Sequence, residues 1–105
     1  MAFAGAIVFG VALTPSARAA AVGVSEESYD VTAGLQRYAT GAGTPLVLAV
    51  TDFVTVNPPA AFATNVGIVG ARVVNATTVA IQWGNFTAVA NVPPAGTYVF
   101  NVQRP

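Results

Sequence analysis

Alternation with a period of two runs through most of this chain. From Thr97 to Gln103, Tyr98, Phe100 and Val102 fall on one side, and Thr97, Asn101 and Gln103 on the other. Successive side chains take opposite faces in extended backbone, so this is the pattern of a half-buried strand. Near the N-terminus, Ile7, Phe9, Val11 and Leu13 alternate with Val8, Gly10 and Ala12, large residues against small. Val22 to Thr32 predicts a second strand, with Val24, Glu26, Ser28 and Asp30 on one face and Glu27, Tyr29 and Val31 on the other. Leu46 to Val56 predicts one bent strand or two short ones. Val66 to Val74 places Val69, Ala71 and Val73 opposite Arg72, and Thr78 to Phe86 aligns Val79, Ile81 and Trp83. The last two runs are close enough to form a hairpin.

Turn chemistry separates these runs. Thr14-Pro15-Ser16, Asn57-Pro58-Pro59, Asn75-Ala76 and Pro93-Pro94-Ala95-Gly96 each interrupt the pattern. The Ala-rich stretch 16–21 reads as a short turn or link. Ala33 to Thr44 holds three glycines and no sustained period, which predicts a loop carrying Leu35, Arg37 and Tyr38. Val and Thr abound, as suits a pleated surface. The expected fold is all-β, an antiparallel β-sandwich (Ig-like or jelly-roll-like) of about six to seven strands. Residues 1–105 read as a single domain, with 1–15 as an N-terminal strand or arm.

Charge narrows the function. Four Arg and four acidic residues are all the charge the chain has, with no Lys, His or Cys. A freely soluble domain carries a surface that is roughly a quarter to a third charged. This chain stays in solution through Thr, Ser, Asn and Gln, or hides surface against neighbours. Four scattered Arg make no basic patch for nucleic acid. Without His or Cys there is no Ser-His-Asp or Cys-His arrangement and no imidazole or thiolate ligand. Without Lys there is no Schiff base or P-loop. Glu26 and Asp30 share a strand face, but four residues of strand separate them by roughly 13 Å, too far to share one metal or one glycosidic bond. They read as a solvated patch at a strand edge. Trp83 and Tyr98 read as core, because they alternate in register with aliphatic residues. The Asn-x-Thr triplets at Asn75 and Asn85 carry no weight. The chain is thus expected to be no enzyme and to need no cofactor, metal or small-molecule substrate.

The N-terminal run admits two readings. Ala17-Arg18-Ala19 is similar to a signal-peptidase site, which makes 1–19 a cleaved secretory signal in a secreted bacterial module. Against this, no Lys or Arg precedes the apolar run, and the run alternates as a strand does. It is also shorter than the ~20 residues that span a bilayer.

The C-terminal half carries a texture of its own, from Asp52 to Phe62, Gly67 to Val73, Thr78 to Thr87 and Pro93 to Val102. With Leu13-Thr14-Pro15 and the acidic strand Val24 to Val31, it resembles a small β-sandwich recurring in virion proteins of tailed bacteriophages. These include capsid decoration (cement) proteins and head or tail fibre components. The resemblance implies a structural protein on the capsid surface, a homo-oligomer of trimeric type, that bridges major capsid protein subunits. The Ala33 to Thr44 stretch departs from the pattern as an insertion and is a candidate contact specific to this chain. Candidate protein-contact residues are therefore Phe3, Ile7 and Phe9 in the first strand, and Leu35, Arg37 and Tyr38 in the insertion. Tyr38 is either an exposed contact or a lid on the core. A fibre or spike component that binds a host receptor or glycan is the alternative within the same class.

Overall fold

Two three-stranded antiparallel sheets face each other in a computed structural model that describes residues 5–39, 43 and 46–105. Strands β1 (Gly5–Leu13), β6 (Gly96–Arg104) and β3 (Phe53–Asn57) form one sheet, in the order β1-β6-β3. Strands β2 (Gly23–Asp30), β5 (Thr78–Asn85) and β4 (Val66–Asn75) form the other, in the order β2-β5-β4. Among the described residues, β4 and β5 are the sequence neighbours that pair directly. Every other connection crosses between the sheets. The all-β sandwich expected from the alternation is the fold observed, with six strands.

The inner faces are those the alternation selects. Ile7, Phe9, Val11 and Leu13 of β1 are buried, as are Tyr98, Phe100 and Val102 of β6 and Val79, Ile81 and Trp83 of β5. Phe9 stacks on its register partner Phe100 at 5.4 Å between ring centroids. Trp83 joins the two sheets edge-to-face with Tyr98 at 5.9 Å, and also meets Tyr29 at 6.3 Å and Phe62 at 6.1 Å. Such aromatic pairs contribute about 0.5–1.5 kcal/mol each beyond the area they bury. The core reading of Trp83 and Tyr98 therefore holds.

The departures have local causes. In β4 the register shifts between Ile68 and Gly70, so Ile68 faces Trp83 and Val69 turns outward over Gly84. The expected Val69–Ala71–Val73 face is an Ile68–Ala71–Val73 face, because a β-bulge inserts one residue and resets the alternation. Leu46 and Leu48 are buried, but 46–50 is not strand. The Leu48 N–H donates to Ala76 O, and Asp52 closes a turn by donating to Ala49 O at 2.9 Å and accepting from Ala49 N at 2.8 Å. Residues 17–20 form helix α1, capped by Ser16, whose Oγ accepts from Arg18 N. Part of the expected 33–44 loop is ordered as helix α2 (Thr32–Leu35) and a 3-10 turn, Gln36–Tyr38.

Candidate functional site: a neutral sheet face and its edges

Outward residues of the β1-β6-β3 sheet follow from the register. Ala6, Gln103 and Phe53 form one row, and Val8, Asn101 and Thr55 the next. Gly10, Val99 and Asn57 come third, followed by the pair Ala12 and Thr97. All eight charged side chains lie among the described residues, and this face holds none of them. Phe53 is 65% exposed, Val8 47% and Val99 37%.

Charge is gathered elsewhere and mostly neutralised. On the outer face of the β2-β5-β4 sheet, Arg72 Nη2 meets Glu26 Oε1 at 2.8 Å, and Gln82 Nε2 donates to the same carboxylate. The Arg72 hydrogen bond first, then that from Gln82, holds the Glu26 carboxyl below its usual range. Asp30 accepts from Thr32 N at 2.8 Å, so Glu26 and Asp30 serve different partners. At one end of the sandwich, Arg104 grips Asp52 with Nε and Nη2, both at 2.8 Å. No helix among the described residues is long and apolar enough to cross a membrane, and no three acidic side chains there gather around a metal position.

The sheet edges differ in how they are covered. On β1, the Tyr38 hydroxyl accepts from Val8 N at 3.2 Å and donates to Val8 O at 2.7 Å. One side chain thus satisfies both backbone groups that a neighbouring strand would take. Helix α2 sits against β1 so closely that a Cβ on Gly34 would lie 2.3 Å from the Phe9 ring. Helix α1 packs beside β2. The bulge in β4 bends that edge. Strand β3 has no cap, bulge, proline or charge within Phe53–Asn57. A cleft of about 240 Å³ opens between β3 and β4, lined by Val54, Thr55, Val56, Ile68, Val69, Gly70 and Ala71.

The six residues singled out from the sequence divide accordingly. Phe3 lies outside the described residues. Ile7, Phe9 and Leu35 are buried in the chain's own core, so a partner cannot reach them in this fold. The alternation that made the first strand apolar turned its large side chains inward. Arg37 is exposed on the 3-10 turn, and Tyr38 is half-buried as the cap of the β1 edge. The structure adds Val8, Phe53, Thr55 and Val99, which sequence reasoning passed over. They were visible as the uncharged partners in each alternating run, but their grouping depends on the non-sequential order β1-β6-β3. No protein-family model, no curated protein and no solved structure matches the chain.

Proposed function

We propose that this chain is a structural virion protein of the capsid decoration type, which oligomerises and braces major capsid subunits from the shell surface. The observation that supports this reading is the neutral outer face of the β1-β6-β3 sheet. Interface cores are depleted of charge, and an uncharged face of Val, Thr, Asn, Gln, Ala and Phe meets a neighbour without stripping water from ions. The resemblance of the strand and turn texture to tailed-phage sandwich proteins supplies the shell as partner.

The test adds purified protein to shells depleted of it. The wild-type chain binds and raises the temperature at which the shells open. Val99→Lys, which places a charge in the middle of the neutral face, loses binding. Ser28→Lys, on the opposite sheet, keeps it. Equal binding by both variants contradicts the reading.

A further inference from the structure

Strand β3 is hydrogen-bonded on one side only, to β6; β4 comes close across the cleft but does not pair with it, and the free register of β3 is self-complementary. The Tyr38 hydroxyl takes both the N–H and the C=O of Val8, so these groups point away from β6. Val8 faces Asn101 across the β1–β6 ladder, and Asn101 faces Thr55 across the β6–β3 ladder. In an antiparallel ladder the N–H and C=O of one residue point to the same side, and the side alternates along the strand. Asn101 therefore directs its backbone groups to Thr55, and Thr55 returns them. Val54 and Val56 then point theirs off the open edge. The turn bond from Asp52 N to Ala49 O follows the same parity.

We propose that two copies of this chain pair antiparallel through β3, about a two-fold axis at Thr55. Val54 of one copy then faces Val56 of the second, and each of these two pairs exchanges both backbone hydrogen bonds. Thr55 faces Thr55 of the second copy on the outer face, a pairing that favours strands. Phe53 faces Asn57 of the second copy. Pro58 ends the match on one side because it has no N–H to donate, and the Asp52–Ala49 turn ends it on the other.

Register and the lack of charge select a second copy as the occupant, since each position of β3 meets an uncharged position of its own image across the axis. An edge carrying a charge would repel its own image across a two-fold axis, whereas Phe53–Asn57 and its flanking neutral face carry none. The other edges also point here, since β1 is capped by Tyr38, β2 is flanked by α1 and β4 is bulged. Pairing through β3 joins the two sheets into one of six strands, doubling the neutral face and covering the open side of the cleft. The result is a two-fold pair rather than the three-fold grouping that the resemblance implies.

This inference does not rest on the virion reading. A chain that pairs yet never binds shells overturns that reading alone, and one that binds shells as a monomer overturns the pairing alone. The experiment is sedimentation equilibrium of the full chain with two charge variants. Wild type is expected at the dimer mass. Thr55→Lys and Thr55→Glu are each expected at the monomer mass, because like charges meet across the axis. An equimolar mixture of the two is expected to return to the dimer mass. A monomeric or trimeric wild type, an unchanged Thr55→Lys dimer or a mixture that stays monomeric overturns the proposal. Hydrogen exchange on the wild type tests it without substitution. Val54 and Val56 amides gain protection with rising protein concentration, while the Val8 amide is protected throughout. Val54 and Val56 amides that exchange at one rate at every concentration overturn it equally.

Discussion

At Glu27 one carboxylate gathers hydrogen bonds from the Ser16 N–H at 3.0 Å, the Ser16 hydroxyl and the Tyr29 hydroxyl. It ties the start of α1 to the middle of β2. Burial pushes this carboxyl up, but the Ser16 and Tyr29 hydrogen bonds, with the nearby Arg18 charge, hold it below its ordinary value of 4.5. A carboxyl lowered in the folded state contributes stability that is fully present above the unfolded value and is lost as pH falls through the folded one. Glu27→Gln should therefore flatten the acid side of the stability–pH curve below about pH 4.5 and leave its neutral plateau less stable, as denaturant titration at several pH values will show.

Asp52 is the other anchoring carboxylate. Its side chain is fully buried and takes three hydrogen bonds, two from Arg104 and one from Ala49 N. The Arg104 bonds hold the carboxyl low, against a smaller opposing effect of burial. Asp52→Ala removes two charge-assisted hydrogen bonds from the largely covered Arg104 guanidinium and opens the turn before β3. A loss of about 2–3 kcal/mol is expected, typical of hydrogen bonds to charged groups. Urea titration at neutral pH checks it.

At the scale of elements, the long first strand is held in place from its side. Tyr38→Phe removes the hydroxyl that occupies the Val8 backbone. The expected loss is about 1 kcal/mol, with faster exchange at the Val8 amide and a greater tendency to aggregate through the freed edge. Hydrogen exchange read by NMR detects the first effect, and light scattering the second. Gly34→Ala forces a methyl into the Phe9 ring and to within 2.9 Å of a Val11 methyl. Overpacking of this kind costs about 1–3 kcal/mol, which a thermal melt will show.

These elements also mark how far the sequence could be read. Strands β1, β5 and β6 were legible because their alternation is unbroken and their inner residues are large. Strand β4 was legible as a strand but not in its facing, because nothing in Val66–Asn75 announces the extra residue at Val69. The run from Leu46 is strand only from Phe53 on, since buried leucines at alternate positions arise equally in an irregular segment bonded to Ala76 and Asp52. Tyr38 could not be assigned as an edge cap, because its partner Val8 lies thirty residues away in sequence.

Over the whole molecule, the shortage of charge acquires a direction. The ion pairs sit on the β2-β5-β4 sheet and at one end, and the opposite sheet presents a face with no charge. The sequence told how little charge there was. The strand order that gathers Val8, Phe53, Thr55 and Val99 is a property of crossing connections, which no local pattern encodes. The alternation alone therefore points to the large first-strand residues as contacts, whereas their small neighbours form the outer face.

The proposed role of this face in an extended assembly on a viral shell makes the chain a repeating component of the particle. Quantitative mass spectrometry of purified particles, counting this chain against the major capsid protein, measures this. The expected result is a copy number that scales with the repeating positions of the shell. Absence from the particles, or a count as low as that of a fibre or spike, would contradict it.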